Sequence, residues 1–405
     1  MILESKQIVL GVTGGIAAYK AADLCSKLVQ AGAVVDVVMT EGATRFITPL
    51  PFQTLTKRPV SVDQFQLLRD TDMAHISLSA RADALVIAPA TANTIAKLAH
   101  GLADNLLTST ALACPAPLII APAMDADMWA HPATQANVAL LAERGAVVVG
   151  PAEGRLASGR IGRGRLVPIS DIVGALRQTL GRKGPLQGVR VVVTAGGTQE
   201  PLDPVRHLGN RSSGRMGYAL AEAARDLGAT VTLVHAPTGL EPAYGIESIS
   251  VRTAEAMHRS LVDLLAATDV LLMAAAVADY RPVHYASQKL KKGDGGLTLQ
   301  LERTTDILAD IGIRPPSERP GILVGFAAET EDLIANAEAK LRAKRTDLVV
   351  ANDVSRSDSG FEVATNQATL LWADGRREPL PLMTKEALAE EIATRVAALW
   401  EQRHE

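Results

Sequence analysis

Residues 8–20 read IVLGVTGGIAAYK, and this stretch decides the fold of the first half of the chain. An apolar run leads into two glycines and then into a pattern whose apolar residues recur every three or four positions from Ala17 to Leu28. Gly32 follows where a helix C-terminal cap belongs. The stretch therefore predicts a buried strand, a tight glycine turn and a helix, the opening unit of a parallel α/β sheet.

Four further apolar runs continue this rhythm in the first half, with amphipathic helical patterns between them. They span residues 34–39, 84–88, 118–121 and 147–149. Because right-handed crossovers bring the carboxyl ends of parallel strands to one edge, ligands are expected in the loops after Val12, Met39, Ala88 and Ala121. Residues 150–168 lack apolar periodicity and predict a long loop or flap.

The same pattern starts again in the second half. Residues 189–194 predict a strand that ends in Ala-Gly-Gly-Thr, and the run from Val270 resembles the run from Ala84. We therefore predict two doubly wound, Rossmann-like α/β domains, residues 1–180 and 189–405, joined by a linker at 181–188. Leu297, Leu299 and Leu301 alternate as in a strand, Asp374-Gly375 predicts a hairpin turn, and residues 388–399 predict a terminal helix.

Composition excludes several classes of protein. The 405 residues carry 41 basic and 44 acidic side chains, a net charge of -3, so no broad basic face is available for nucleic acid or a membrane surface. The apolar run at 270–278 is too short to span a membrane. Two cysteines, Cys25 and Cys114, can form neither a disulfide framework nor a zinc cluster, which indicates a reducing, cytoplasmic location.

The glycine turn of the first domain has two readings on its own. It can expose backbone amides to a phosphate at a helix N-terminus, or it can be a tight turn that serves packing. It does not match the dinucleotide pattern GxGxxG. Two more segments, APATANT at 88–94 and PAMDADMW at 122–129, follow neighbouring strands with small and polar side chains. Together the three loops favour a ligand site.

These three loops, with His75 in the segment HISL, resemble the flavin-dependent cysteine decarboxylase family, in particular its 4′-phosphopantothenoylcysteine decarboxylases. The resemblance implies that FMN lies against Gly14, Gly15, Ile16, Thr40, Ala90, Thr91 and Asn93. It also implies that His75 lies beside the substrate, and that residues 122–129 and the flap hold the substrate carboxylate. In this family, FMN oxidises the cysteine thiol so that carbon dioxide can leave, and the electrons then return.

Two candidate catalytic positions depart from the family pattern. Asp125 stands where the family usually has asparagine, so this carboxylate must be protonated, turned away from the substrate, or paired with a cation such as a flap arginine. Ser158 stands where the family has a flap cysteine, and a hydroxyl is a far weaker acid than a thiol. Cys25 and Cys114 lie outside the flap. We therefore predict flavin binding, and decarboxylation with a proton source other than a flap thiol.

Polar and basic residues follow the first strand of the second domain. Arg206, Asn210 and Arg211 precede Ser212-Ser213, which can cap the next helix, so the cluster suits either an anion or a capped helix with solvated arginines. Further on stand AAAVADYR at 274–281, KLKK at 289–292 and GFAAET at 325–330. This set resembles phosphopantothenate-cysteine ligases, and its order after a flavin domain matches the fused bifunctional bacterial family.

The resemblance implies that CTP activates the carboxylate of 4′-phosphopantothenate as an acyl-cytidylate and that the amine of L-cysteine displaces CMP. It implies that Asn210 stabilises the acyl-cytidylate, Arg206 orients the acid and Lys289 neutralises charge on the phosphate. Mg²⁺ is expected mainly on the CTP phosphates, without predicted protein ligands. The residues expected to frame CTP are Met273, Ala274, Ala275, Asp279, Lys289, Thr305, Asp306, Ile307, Leu308, Phe326, Lys340 and Lys344.

Two other functions remain open at this point. The changes at Asp125 and Ser158 also suit an active ligase fused to a flavin domain that serves only binding or assembly. Two doubly wound domains also suit a tandem nicotinamide-dependent oxidoreductase, because the fold alone does not select the cofactor. The resemblance implies a homo-oligomer with trimeric flavin domains and dimeric ligase domains, acting on phosphopantothenoylcysteine as the shared intermediate.

Overall fold

The computed structural model describes residues 2–65, 73–291, 297–329, 332–353, 360 and 363–404. The chain divides into two compact units, Met1–Leu180 and Gly181–Glu405. The segment 181–188, predicted as a linker, is packed within the second unit, where Leu186 is buried and its amide donates to the Leu227 carbonyl at 2.8 Å. No helix in the described part of the chain combines the length and apolarity that crossing a membrane requires.

The first unit contains a sheet of five parallel strands and a separate two-stranded antiparallel hairpin. Its strands are β1 (Gln7–Val12), β2 (Val34–Met39), β3 (Ala84–Ala90), β4 (Leu118–Pro122), β5 (Val147–Val148), β6 (Ala152–Arg155) and β7 (Ile161–Arg165). Its helices are α1 (Lys20–Gln30), α2 (Glu41–Thr44), α3 (Leu50–Thr56), α4 (Ala74–Arg81), α5 (Ala92–His100), α6 (Leu106–Ala113), α7 (Ala126–Ala130), α8 (Pro132–Glu143) and α9 (Ile169–Gly181). The sheet order β2-β1-β3-β4-β5 places a topological switch point between β1 and β3.

The second unit repeats this plan with a larger sheet. Its strands are β8 (Arg190–Ala195), β9 (Gln199–Pro201), β10 (His207–Gly209), β11 (Thr230–His235), β12 (Glu247–Ser250), β13 (Val270–Met273), β14 (Tyr280–Pro282), β15 (Leu301–Arg303), β16 (Ile322–Glu329), β17 (Leu348–Asp353), β18 (Thr365–Asn366), β19 (Ala368–Trp372), β20 (Arg377–Pro379) and β21 (Met383–Thr384). Its helices are α10 (Arg215–Asp226), α11 (Ala254–Leu264), α12 (Ile307–Ile313), α13 (Leu333–Ala343) and α14 (Lys385–His404).

The eight-stranded sheet of this unit has the order β12-β11-β8-β13-β16-β17-β19-β20, with β19 and β20 antiparallel. Its switch point lies between β8 and β13. Both β8 and β13 are buried on both faces, which explains their unbroken apolar sequences. The predicted fold class, two doubly wound α/β units, is confirmed.

Two local predictions need correction. The flap is a β-hairpin rather than a loop, because β6 and β7 pair antiparallel with Gly154 opposite Gly162. Of the three alternating leucines, only Leu301 lies in a strand, β15. Leu297 is 61% exposed, so its alternation reflects no buried sheet face. The hairpin at Asp374-Gly375 and the terminal helix α14 are confirmed.

Candidate functional sites

A cavity of about 1190 Å³ opens at the carboxyl ends of β1–β4, at the switch point of the first unit. Its volume is sufficient for a cofactor of flavin size. The residues predicted from the sequence that line it are Gly14, Gly15, Ile16, Thr40, Thr91, Asn93, Asp125 and Ser158.

The loops after β1 and β3 are tied together across the switch point. Thr13 Oγ1 donates to the Pro89 carbonyl at 2.7 Å and accepts from the Thr91 amide at 3.1 Å. At Gly14 an added Cβ would lie only 2.7 Å from the carbonyl carbon of Gly42, so the close approach of these two loops requires glycine. At Gly15 the nearest atom to such a Cβ is 3.6 Å away, an ordinary contact. Gly14 thus shapes the cavity, while Gly15 leaves its backbone open to a ligand.

Four helix N-termini converge on this cavity. Their N-cap residues all line it: Thr40 for α2, Thr91 for α5, Asn105 for α6 and Asp125 for α7. Each cap accepts a hydrogen bond from a backbone amide of its own helix, which fixes the helix start. The positive ends of the helix dipoles therefore surround the cavity and favour an anionic ligand.

The flap hairpin sits directly on the segment that carries Asp125. The Met124 amide donates to the Gly164 carbonyl at 2.9 Å, and a Cβ at Gly164 would lie 2.3 Å from the Met124 carbonyl oxygen. Ser158 Oγ donates to Asp125 Oδ2 at 2.7 Å. Arg160 pairs with Asp125 and also with Asp127, the latter at 2.7 Å. Of the three states predicted for Asp125, the structure shows pairing with a flap arginine.

This network fixes the charge of Asp125. The hydrogen bond from Ser158 is the largest cause that lowers the pKa of Asp125, followed by the Asp127 amide, and Arg160 lowers it further. Asp125 is therefore a carboxylate at neutral pH. Burial raises the pKa of the Cys25 thiol to about 11 and also raises the pKa of the Cys114 thiol. Neither cysteine therefore forms a thiolate at neutral pH.

Two residues assigned to the first site lie off the cavity. His75 is on α4, half-buried, and Ala90 is fully buried at the end of β3, and neither lines the cavity. The structure adds Lys20 and Arg165, which the sequence analysis missed. Burial, and after it the charge of Arg165, lowers the pKa of Lys20. The sequence carried a signal for Lys20, since it lies one helical turn after the glycine turn and begins α1.

The second cavity, about 670 Å³, lies at the carboxyl ends of β8, β13 and β16. The residues predicted from the sequence that line it are Asn210, Met273, Ala274, Ala275, Asp279, Thr305, Asp306, Ile307, Leu308, Phe326, Lys340 and Lys344. Most of the residues predicted to frame CTP therefore line one cavity.

Hydroxyl groups hold the loop after β13 against the end of β8. Thr194 Oγ1 accepts from the Ala275 amide at 3.0 Å, and Thr198 Oγ1 accepts from the Ala278 amide at 2.9 Å. Asn210 Nδ2 donates to the Ala276 carbonyl at 3.2 Å. As in the first unit, a threonine hydroxyl next to the switch point joins the two loops.

Two lysines of this cavity are held by oxygen atoms of its wall. Lys340 Nζ donates to the Phe326 carbonyl at 2.6 Å, and Lys344 pairs with Asp306, the N-cap of α12. Burial by itself would raise the pKa of Asp306. The hydrogen bonds from Lys344 and the Ala309 amide outweigh burial, so the pKa of Asp306 is lowered and Asp306 is a carboxylate at neutral pH.

Arg206 and Lys289 do not line this cavity. Arg206 pairs with Asp203 at 2.6 Å and donates to the Leu290 carbonyl at 2.8 Å. The Leu290 amide donates to Asp203 at 3.1 Å, so the start of KLKK is anchored next to Arg206. The hydrogen bond from Arg206 holds the pKa of Asp203 far below its usual range. Lys292, the last residue of KLKK, and Thr330 of GFAAET lie outside the described residues.

The structure also adds residues to the second cavity that the sequence analysis missed. Arg215, Asn352, Asn366 and Lys385 line it. Asn352 Oδ1 is buried without a hydrogen-bond partner in the described part of the chain. Within that part, no group of three or more His, Cys, Asp or Glu side chains is arranged to hold a metal ion.

Comparison with known proteins identifies both units. Residues 2–181 match the family model Flavoprotein, and residues 186–399 match the DNA/pantothenate metabolism flavoprotein C-terminal domain. The coenzyme A biosynthesis bifunctional protein CoaBC of Bacillus subtilis (strain 168) is 46% identical over 100% of both chains. The chain belongs to the CoaBC family. It is therefore a bifunctional enzyme of coenzyme A biosynthesis, with a decarboxylase unit that binds flavin and a ligase unit.

Other CoaBC relatives agree over nearly the full length. CoaBC of Mycobacterium tuberculosis (strain ATCC 25618 / H37Rv) is 43% identical over 96% of this chain and 95% of its own. A crystal structure of the C-terminal domain of a CoaBC is 38% identical, covers 54% of this chain and 99% of its own, and has a TM-score of 0.46. Membership of the CoaBC family, shown by these full-length sequence relatives, sets aside the tandem nicotinamide-dependent oxidoreductase.

Proposed function

We propose that the second unit, residues 189–405, uses CTP to join 4′-phosphopantothenate to L-cysteine, and that the first, residues 1–180, decarboxylates the phosphopantothenoylcysteine with FMN to 4′-phosphopantetheine. The observation that carries the proposal is the position of the two cavities. Each lies at the switch point of its sheet and is lined by most of the residues that the family resemblance assigns to it. We also propose that the protein is cytoplasmic and that it forms a homo-oligomer.

The first cavity fits FMN on two counts. The four helix N-termini suit a phosphate, and the backbone at Gly15 is open to a flat ring. When bound, FMN supplies the two-electron oxidation of the cysteine thiol and the return of those electrons after carbon dioxide leaves. Gly14, Gly15, Thr40, Thr91 and Asn93 would hold it.

The residues of the flap orient the substrate. Asp125 accepts a hydrogen bond from Ser158 and pairs with Arg160. As a carboxylate it repels the substrate carboxylate and cannot bind it. Arg155 and Arg165 line the same cavity and are the cations that would receive that carboxylate. Ser158 directs its proton to Asp125, which leaves the final protonation of the product to a group other than Ser158.

The ligase cavity suits a nucleotide. Lys340 and Lys344 bring two cations to one wall, and Phe326 lies beside them. Asn210 reaches the loop after β13, where its amide would face the acyl-cytidylate. Mg²⁺ would be bound mainly by the CTP phosphates.

His75, Arg206 and Lys289 lie off the cavities of their own units. Contacts between copies would bring such residues to a cavity, as the trimeric flavin domains and dimeric ligase domains proposed here require. Exposed apolar side chains beside these sites support the proposal: Ile16 is 62% and Tyr19 is 60% exposed next to the first cavity.

One incubation tests both activities. Full-length protein, yellow from bound flavin, receives 4′-phosphopantothenate, L-cysteine, CTP and Mg²⁺, and CMP, pyrophosphate, carbon dioxide and 4′-phosphopantetheine are measured together. We expect all four products. Products of the ligase without carbon dioxide would support the flavin unit as a binding or assembly module. Lys289→Gln should abolish pyrophosphate release and keep the yellow colour, whereas the exposed Lys183→Gln should change neither.

A further inference from the structure

Asp203 is a buried carboxylate that plays no part in the proposed ligase mechanism. It lies in the turn between β9 and β10, and its side chain is fully buried. Its Oδ1 atom accepts from the amides of Val205 and Arg206, both at 2.8 Å, which closes the turn. Its Oδ2 atom accepts from the Leu290 amide at 3.1 Å and from the Arg206 guanidinium. Oδ1 therefore holds the turn, and Oδ2 joins the turn to a distant segment of the chain.

The guanidinium of Arg206 is oriented by this carboxylate. Nε and Nη2 donate to Asp203 Oδ2 at 2.9 and 2.6 Å, and Nη2 also donates to the Leu290 carbonyl at 2.8 Å. Nη1 makes no hydrogen bond with the described residues, and the side chain is 43% exposed. One edge of the planar group is thus fixed against the protein, and Nη1 is left for a ligand.

Both backbone polar groups of Leu290 are held by this ion pair. Its amide donates to the carboxylate, and its carbonyl accepts from the guanidinium. Four residues earlier, the Ala286 amide donates to the Leu202 carbonyl at 3.0 Å. The segment 286–290 has no helix or strand structure, and its backbone makes no other hydrogen bond with the described residues. The turn therefore fixes both ends of the segment that contains Lys289.

The position of Lys289 depends on the residue beside it. Its side chain is exposed and makes no ion pair or hydrogen bond with the described residues. A free lysine side chain samples many rotamers, so a fixed backbone at Leu290 restricts the space that the ammonium group can reach. Misplacement of a group by about 1 Å at a reacting centre can cost about a hundredfold in rate. A residue that fixes this backbone is therefore able to control the reaction rate.

We propose that Asp203 is a positioning residue for acyl-cytidylate formation, and that its Oδ2 atom holds together Arg206 and the backbone next to Lys289. The inference rests on the proposed ligase function, in which Arg206 orients the acid and Lys289 neutralises charge on the phosphate. Both side chains lie off the cavity of their own unit. Because one carboxylate joins them, the two cations would reach a substrate as a pair.

The test uses full-length Asp203→Asn. The new amide keeps an oxygen for the two amides of the turn, whereas its NH2 group cannot accept the three hydrogen bonds that Oδ2 receives. We expect kcat for pyrophosphate release to fall by about tenfold or more. The number of CTP sites per chain, measured by calorimetry, should stay at the wild-type value. A purely structural role would instead reduce the number of sites and leave kcat per site unchanged.

Asp269→Asn is the matched control. Asp269 precedes β13, at the end of the sheet opposite the cavity, and accepts from Arg190 Nε at 3.0 Å and Nη2 at 2.8 Å. Both variants lose an arginine–carboxylate pair, so we expect similar losses of Tm. Only Asp203→Asn should lose pyrophosphate release. A wild-type kcat in Asp203→Asn, or an equal fall in Asp269→Asn, would overturn the inference.

Leu290→Pro tests the same contact from the other side. Proline has no amide hydrogen, so this variant loses the hydrogen bond to Asp203 but keeps the ion pair with Arg206. We expect kcat to fall as in Asp203→Asn. If Asp203→Asn fails to fold, this variant decides, and a wild-type kcat in Leu290→Pro would contradict the inference. Wild-type protein that releases no pyrophosphate from CTP and 4′-phosphopantothenate would instead refute the proposed function.

Discussion

Ser158 Oγ donates to Asp125 Oδ2 at 2.7 Å, so the two positions that depart from the decarboxylase pattern are direct partners. Arg160, which lies on the turn between β6 and β7, completes the contact by pairing with Asp125 and Asp127. The two residues that differ from the family pattern, Asp125 and Ser158, therefore take part in one contact. This contact holds the flap onto the start of α7.

Removal of Arg160 should release the flap. In Arg160→Gln the two ion pairs to α7 are lost, and we expect cleavage near Leu156 by chymotrypsin under native conditions to accelerate by about tenfold. The control is Arg155→Gln, an exposed flap arginine without an ion pair in the described part of the chain. Equal cleavage rates in the two variants would show that Arg160 does not hold the flap.

The flap should stay attached in mild acid. A carboxyl group whose pKa is lowered in the folded protein stabilises it above the ordinary pKa of about 3.9, and this contribution is lost as the pH falls through the lowered value. The Leu156 amide donates to the Arg160 backbone carbonyl. This amide should therefore stay protected from hydrogen exchange from pH 7 to about 4, after correction for intrinsic exchange rates. Loss of protection between pH 7 and 5 would contradict this assignment.

A thiol at position 158 should accelerate decarboxylation. The Asp125 carboxylate would raise the pKa of a cysteine placed there, so Ser158→Cys would carry a protonated thiol at pH 7, a much stronger acid than serine. We expect kcat for carbon dioxide release to rise by about tenfold or more. Ser158→Ala, which removes the hydroxyl, is the control and should show no rise. An unchanged kcat in Ser158→Cys would mean that this step does not limit the reaction.

Two adjacent glycines separate folding from flavin binding. In Gly14→Ala the new methyl group would clash with the backbone of Gly42, so we expect a loss of about 1–3 kcal/mol of stability. In Gly15→Ala the protein itself offers space, and the unliganded stability should change by less than about 0.5 kcal/mol. If flavin lies against Gly15, this second variant should still lose flavin colour. Full flavin content in Gly15→Ala would place the ring elsewhere.

Gly312 should prove essential for the nucleotide wall. An added Cβ would lie 1.8 Å from the Lys344 carbonyl oxygen, so Gly312→Ala must displace α12 or Lys344. We expect about 2 kcal/mol of lost stability by chemical denaturation, together with weaker CTP binding. At Gly239 no atom lies within 4 Å of such a Cβ, so Gly239→Ala serves as the control. Comparable losses in both variants would contradict the packing argument.

The sequence predicts the fold well where burial is strong and periodic. Strands buried on both faces, such as β1 and β8, give long apolar runs, and the glycine turns after them mark the switch points. The sequence does not predict the flap hairpin, because its glycines and arginines give no apolar alternation. In the structure Gly154 and Gly162 lie opposite each other in this hairpin.

The site residues also divide into those that the sequence pattern predicts and those that it does not. Those adjacent to a strand end, such as Thr91 or Asp279, line the predicted cavities. His75 and Arg206 were assigned by resemblance alone, which carries no distances, and they lie off the cavities of their own units. Lys385 was missed because a lysine that opens an amphipathic helix normally stays in water, and only the packing of α14 buries it.

Placement of Lys385 at the start of α14 also bears on protein synthesis. All residues that line the first cavity lie between positions 14 and 166, whereas the second cavity takes side chains from positions 210 to 385. A chain emerging from the ribosome can thus enclose flavin while its ligase half is still being translated. The ligase half gains its complete cavity wall only when translation reaches its last helix.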